Sequence, residues 1–441
     1  MRRTLLKLKI LLYYLIFKYG RIFQSREALR VWQESKVKKH LARLRKNSPY
    51  LEMLWQKLPE PSWQLLPLMN KSIMMENFDT LNTVGIKKDE AFRVAIQAEA
   101  TRDFSSTIGD ITVGLSSGTS GHRGLFLASP NERAQHAGAI LAKILPGTLF
   151  KPWKVAFFLR ANSNLYSTSQ SRMIQFQYFD LLDSLEKHES RLNQFQPDLL
   201  IGPPSLLRKL ARRKDEGSLR IQPKKIVSVA EVLDPLDHKK ISESFHQVVH
   251  QVYQCTEGFL GITCTEGTLH LNEDIVLVEP KWLDTQKSKF HPIITDFTRT
   301  SQPIVRYLLN DILTIKKTPC PCGSVFMALE SIEGRADDCL EFESIKDSTP
   351  PVEVYPDFIR RCILFAASQI SEYHVTQARA GELSIALQTA SGVARSPLEI
   401  EITEAIKKLA QDQGFKMPTV HFHDRFPDLG IKKLRRIERL R

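Results

Sequence analysis

With 441 residues, 42% of them hydrophobic and 25% charged, the chain has the composition of an ordinary globular protein and room for two or three domains at roughly 100–200 residues each. The formal net charge is +13, but it is gathered at the ends: residues 1–46 hold fourteen Lys or Arg against two Glu, and residues 425–441 hold seven against one Asp and one Glu. The body between them is mildly acidic, so the basicity does not argue for a nucleic-acid partner. All six cysteines lie after residue 254, too few and too clustered for a disulfide framework, and a cytoplasmic, reducing compartment is expected.

The chain opens with "MRRTLLKLKILLYYLIFKYGRIF". Its longest uninterrupted apolar run is the eight residues Ile10 to Phe17, short of the about 20 that a spanning helix needs. No small-residue cleavage site of a signal peptide follows. At about 100° per residue, Arg3, Lys7, Lys18 and Arg21 fall within about 60° of one another. Two readings stay open. One is an amphipathic helix in contact with a membrane surface, peripheral to its inner face, with Leu11 and Tyr14 interrupting the basic side. The other is a terminal helix packed on the body with its lysine tips in solvent.

A second basic helix is expected over 24–47, and "LPEPSW" breaks the chain near residue 60. "LPLMNKSIMMENFDTLNT" follows, then a helix over about 87–99 and a short apolar run, "DITVGL". "WKVAFFL" and "KKIVSVA" read as buried parallel strands, being short, rich in Val, Ile and Phe, and bounded by turn residues. Helical patterns lie between them, such as "PSLLRKLARRKDEG", which closes on a glycine cap. Near residue 334 the character changes. A charged turn, "GRADD", leads into a helix at about 356–369, strands "YHVTQAR" and "ELSIALQ", a helix ending "AQDQG" and a strand "TVHFHDRF". The fold class is α/β: basic amphipathic helices over 1–46, a large multi-layer α/β domain over 47–334, and a small mobile α+β cap over 335–441 joined by a hinge.

Chemistry concentrates first in "VGLSSGTSGHRGLF", residues 113–126. Glycines let backbone N–H groups turn inward around an anion, and the hydroxyls of Ser116, Ser117, Thr119 and Ser120 add donors. On these residues alone, a phosphate cradle and an ordinary surface loop are both open. No lysine follows, which leaves the charge to Arg123 or to a cation from elsewhere in the chain. "SVAEVLDP" (228–235), "YQCTEG" (253–258), "QPIVRYLLNDI" (302–312), "GRADD" (334–338) and "LGIKKLRRI" (429–437) succeed it in order. Together with the loop they resemble the adenylate-forming superfamily of acyl- and aryl-CoA ligases, luciferases and peptide-synthetase adenylation domains. The likeness is strongest to the phenylacetate–CoA ligase branch and to relatives that adenylate a deazaflavin coenzyme, and it covers all but about the first forty residues.

That resemblance implies an ATP- and Mg²⁺-dependent ligase and assigns roles by position. Ser116, Ser117, Gly118, Thr119, Ser120 and Gly121 would hold the β- and γ-phosphates, with Arg123 standing near the place where the superfamily often has lysine. Ala230 and Glu231 would line the adenine and acyl pockets, Val229 replacing a glycine. Thr256 would meet the α-phosphate and Glu257 the Mg²⁺, a hard cation that takes oxygen ligands; Tyr253 of the same run would sit with the nucleotide. Asp311 would accept from both ribose hydroxyls, Arg335 would stand near ribose and phosphate, and Asp337 would be the hinge. Asn310 stands where the superfamily has glycine. Lys432, with Lys433 as runner-up, would reach the α-phosphate and the carboxylate from the small domain and stabilise charge there.

The resemblance further implies adenylation of a small-molecule carboxylic acid, aryl or fatty, with coenzyme A as the acceptor. Two other outcomes stay open: an adenylating enzyme that serves another acceptor or modifies a cofactor, and a nucleotide-binding scaffold without catalysis. Separately, Cys264 and His270 are separated by five residues and "CPCG" supplies Cys320 and Cys322. These are ligand types suited to tetrahedral Zn²⁺, and free thiols are the alternative.

Overall fold

The computed structural model describes residues 2–101, 106–115, 123–149, 151–159, 173–346, 350–365, 369–427 and 434–440. Helices α1 (Arg2–Tyr19) and α2 (Arg26–Arg45) lead the chain, followed by α3 (Pro49–Gln56), α4 (Lys71–Glu76), α5 (Phe78–Leu81) and α6 (Lys88–Thr101). A three-stranded antiparallel sheet of β1 (Thr107–Ile108), β2 (Ile111–Leu115) and β3 (Leu125–Ala128) comes next, and then α7 (Pro130–Ile144). Ser129 and Glu132 close a capping box at the start of α7, satisfying two backbone donors that a helix start leaves open.

Five parallel strands follow: β4 (Trp153–Leu159), β5 (Ile174–Asp180), β6 (Leu199–Gly202), β7 (Lys225–Ser228) and β8 (Val249–Cys255), in the order β5-β4-β6-β7-β8. Helices α8 (Leu185–Phe195), α9 (Pro204–Asp215) and α10 (Pro235–Phe245) alternate with them. β6 and β7 are buried along their whole length, as strands inside a parallel sheet covered on both faces are. At β8 the sheet changes sense. It continues antiparallel through β9 (Gly258–Thr263) and β10 (Leu269–Leu271), and farther out through β11 (Val276–Trp282), β12 (Lys289–Asp296), β13 (Tyr307–Leu308), β14 (Asp311–Ile315) and β15 (Ala328–Arg335), making twelve strands.

α1 and α2 share the core of this large lobe, with Ile10, Tyr14, Phe17, Val37, Leu41 and Leu44 buried in it. α1 lies directly on α7. A Cβ on Gly138 of α7 would fall 2.6 Å from the Tyr13 Cβ and 2.9 Å from the Ile10 carbonyl oxygen, so the two backbones meet only because that residue has no side chain.

The smaller lobe has a core of its own around Leu340, Phe342, Ile359, Tyr373, Leu383, Ile385, Leu387, Ile402 and Ile406. It comprises β16 (Leu340–Phe342), β17 (Val352–Val354), α11 (Pro356–Leu364), β18 (Ile370–Gln377), β19 (Glu382–Thr389), α12 (Arg395–Gln413), β20 (Thr419–His423) and β21 (Ile437–Arg439). Its sheet runs β20-β19-β18-β21. The helix expected over 356–369 is shorter, ending at Leu364. The mixed α/β architecture with a separate C-terminal α+β lobe is the one expected.

Candidate active site

The carboxyl ends of β6, β7 and β8 and the turn into β9 open on one cavity of about 1180 Å³, which α7, α4 and β14–β15 close from other sides and the small lobe meets through Asp338, Arg360, Leu434 and Arg435. Sites of this kind form where a parallel sheet changes its connection sense. Ala230, Glu231, Tyr253, Thr256, Glu257, Asp311 and Arg335 all line it. Residues more than a hundred positions apart thus share one surface.

Tyr253 donates to Asp311 Oδ2 at 2.7 Å, and Arg335 Nε stands 3.6 Å from Asp311 Oδ1. Burial pushes the Asp311 carboxyl above the usual carboxylate range, opposed by the Tyr253 hydroxyl and the Arg335 charge. The same pairing, after burial itself, pushes the Tyr253 phenol up. Asp311 therefore has one close partner and one more distant cation, and it lines the cavity with acceptor capacity to spare. Thr256 and Glu257 sit in the turn between β8 and β9. Burial and the neighbouring Glu257 together push up the Tyr307 hydroxyl and the Cys255 thiol.

Ala230 has φ of 70°, a left-handed backbone that costs a non-glycine residue of order 1 kcal/mol and gathers at functional sites. The turn it makes aims Glu231 across the cavity. Glu231 Oε1 accepts from the Leu434 N–H at 3.2 Å, and Oε2 from the Ser205 N–H at 3.4 Å. Leu434 immediately follows Lys432 and Lys433, so the C-terminal segment enters the cavity at Glu231. Lys432 and Lys433 themselves lie outside the described residues, as do Ser116, Ser117, Gly118, Thr119, Ser120 and Gly121. The strands that carry that loop, β2 and β3, pair from Thr112↔Ala128 to Leu115↔Leu125. Gly114, Leu115 and Gly124 at its two ends line the cavity.

Asp337, expected as the hinge, has a partner at the position where glycine was expected. Asn310 Nδ2 donates to Asp337 Oδ2 at 2.7 Å, and the Ala336 N–H donates to the Asn310 carbonyl at 2.7 Å. A glycine there could make only the second bond. Next to it, Arg435 pairs with Asp338 at 2.7 Å. Farther from the cavity the lobes are joined by a buried network. Arg436 holds both oxygens of Asp237 at 2.7 and 2.9 Å. Arg208 reaches Asp237 at 3.0 Å, and Tyr373 donates to Asp234 at 2.6 Å. Burial pushes the Asp237 carboxyl up, against the pull of Arg436 and Arg208.

Sequence reasoning missed Lys71. It begins α4, lines the cavity and feels the charges of Glu257, Arg335 and Asp337, while burial lowers its ammonium pKa. The signal was present in "LPLMNKS", whose lysine had no assigned task. Arg123, by contrast, is exposed and pairs with Glu99 at 2.7 Å. One arm of the cavity is apolar, running between α7 (Ile140, Ile144) and the underlying face of β4, β5 and β6 (Val155, Phe157, Ile174, Phe176, Leu199, Ile201). His136 of α7 also borders it; burial holds this imidazole down to about 4, and its Nε2 has no partner among the described residues.

The Cys/His cluster lies apart from this cavity. Cys264, His270, Cys320 and Cys322 bring their ligand atoms within 4.8 Å of one another. Cys264 Sγ and Cys320 Sγ are 3.7 Å apart, and Cys322 Sγ is 3.4 Å from His270 Nε2. Two thiolates on a tetrahedral Zn²⁺ with bonds of about 2.3 Å stand about 3.8 Å apart, and a thiolate and an imidazole about 3.6 Å. His270 Nδ1 meets the Phe326 carbonyl at 3.0 Å, which leaves Nε2 as the ligand atom. The four residues fit a closed, structural zinc site.

No protein-family model matches the chain. In two-lobed form the chain is similar to a 2-hydroxyisobutyryl-CoA ligase structure in complex with 2-HIB-AMP: TM-score 0.66 at 17% identity, covering 94% of this chain and 89% of that one. The fold is that of the adenylate-forming ligases. Two curated proteins are similar to parts of the chain in sequence. Protein CapK of Staphylococcus aureus is 27% identical over 163 residues, 36% of each chain. Phenylacetate-coenzyme A ligase of Thermus thermophilus is 23% identical over 234 residues, 50% of this chain and 48% of that one. The matched stretches thus span between a third and a half of the curated relatives.

Proposed function

We propose that the protein is an ATP-dependent acid–thiol ligase. A carboxylate oxygen attacks the α-phosphorus of ATP, forming acyl-AMP and releasing pyrophosphate. The thiol of coenzyme A then attacks the acyl carbon, forming the thioester and releasing AMP. The observation that carries this reading is the single cavity on which Thr256, Glu257, Asp311, Arg335, Glu231 and Lys71 converge next to an apolar arm. Asp311 accepts from the ribose hydroxyls, and Tyr253 orients Asp311. Thr256 donates to an α-phosphate oxygen. Glu257 is the carboxylate that would hold Mg²⁺, and the ion would supply positive charge to the departing pyrophosphate. Lys71 and Lys432 supply cations to the atoms where negative charge grows, and the backbone and hydroxyl donors of Ser116–Gly121 serve the outer phosphates.

The acid is aryl or fatty, because the arm beyond Glu257 is lined by aliphatic and aromatic side chains. His136, neutral near pH 7, offers a polar substituent on that acid one partner. Residues 335–441 move as a unit about Asp337, and the Asp237–Arg436 network holds one of the two arrangements. Zinc at Cys264, His270, Cys320 and Cys322 is structural.

The test is pyrophosphate release from ATP with a panel of apolar acids, with and without coenzyme A. Thioester appears only with the thiol, and Lys432→Ala and Lys71→Ala each slow adenylate formation by about a hundredfold while ATP binding changes little. Failure of every acid to release pyrophosphate defeats the reading. Full activity in Lys432→Ala with loss in Lys433→Ala moves the assignment by one residue.

A further inference from the structure

α1 has two apolar faces. One buries Ile10, Tyr14 and Phe17 in the core. The other stands open: Leu5, Leu8, Leu12, Leu15 and Tyr19 are 57%, 63%, 54%, 40% and 51% exposed, at steps of three and four residues, and Leu11 joins them at 42%. On the helix these six cover an arc of about 120°. Lys7 and Lys18 follow one edge and Lys9 the other. The chain has no Asp or Glu before Glu27. A contiguous apolar stripe of this size on a folded surface marks something that covers it.

We propose that this stripe lies in the headgroup layer of an anionic membrane and holds the protein flat on the bilayer. Charge favours this occupant over a second copy of the chain. Stripe packed on stripe would set lysine edges against lysine edges with no carboxylate on either copy of α1, whereas lipid phosphates and anionic headgroups complement both edges. The geometry agrees. No helix among the described residues is long and apolar enough to cross a membrane, and the inner face of α1 is already held by α7, so the helix docks in the interfacial plane. Its position also gives the docking a use, one that rests on the ligase reading. α7 supplies Ile140 and Ile144 to the apolar arm, so the membrane-facing helix backs the wall of the pocket that takes a water-insoluble acid.

The experiment is sedimentation of the full-length protein, without ATP or acid, with vesicles of phosphatidylcholine alone or mixed with phosphatidylglycerol. The protein binds the mixed vesicles, and salt weakens the binding. The triple variant Leu8→Glu, Leu12→Glu, Leu15→Glu lowers the partition coefficient by about a hundredfold. Its melting midpoint and its pyrophosphate release with a short soluble acid stay at wild-type values, since these side chains touch neither core nor cavity. Wild-type protein that ignores the mixed vesicles, equal binding to both lipids, or undiminished binding by the variant each overturns the proposal. A wild-type dimer that the variant turns into monomers gives the stripe to a second copy and overturns it too. Absence of turnover with every acid would strike the ligase reading and leave the vesicle result standing.

Discussion

The Cys–His cluster and the Asp237–Arg436 network do the same job by opposite means. Each fastens segments far apart in sequence: Cys264 and Cys320 are 56 residues apart, and Asp237 and Arg436 are 199 apart. The cluster stays within the large lobe, joining the β9–β10 hairpin to the loop before β15. Its thiol and imidazole atoms are spaced for coordination, an attachment that would last as long as a metal stayed bound. The network crosses between lobes and is made of carboxylates and guanidiniums. Taking such ions out of water offsets much of their mutual attraction, so separating both partners into water together costs little. On the proposed zinc and lobe movement, coordination would suit the part that stays fixed, and exchangeable ion pairs the part that turns.

The sharpest way to break that contrast is to remove the metal ligands. Cys320→Ser with Cys322→Ser should abolish zinc in metal analysis and lower the melting midpoint by about 10 °C; a wild-type protein purified without zinc would remove the fixed half of the comparison. The next effect comes from Asp237→Ala, which leaves Arg436 and Arg208 without their shared carboxylate. A loss of about 3–5 kcal/mol is expected for one broken buried pair, read as a larger radius of gyration and faster proteolysis between the lobes. Unchanged scattering would mean that the network does not hold the lobes together. The smallest effect is expected from Asn310→Gly. It deletes one hydrogen bond to Asp337, worth about 1 kcal/mol, and should alter the ratio of thioester formation to adenylate formation about fivefold. An unaltered ratio would separate that bond from lobe movement.

Much of the fold was legible because buried parallel strands announce themselves. "WKVAFFL" and "KKIVSVA" alternate with capped helices, and their apolar runs have no solvent face to interrupt them. The order of the motifs carried the fold class, and Cys-x5-His with Cys-x-Cys carried a cluster whose members do meet. Other features had no local signal. Lys71 lies 186 residues from Glu257, and a single lysine at a helix start looks like any other until the cavity closes around it. The partners of Arg436 could not be read from a basic C-terminal run, because its counter-charges are on α10. For α1 the difficulty was different. Apolar residues surround most of the helix, so periodicity alone does not tell which stripe is inside. Tyr14, which on sequence interrupted the basic side, turns into the core at 1% exposure, while Leu12 remains outside.

Gly138 gives that arrangement a mechanical meaning. At that one residue the backbones of α1 and α7 meet with no side chain between them. On the membrane proposal, the docked helix and the helix that lines the cavity would thus share a backbone contact, and a substitution at residue 138 would disturb both.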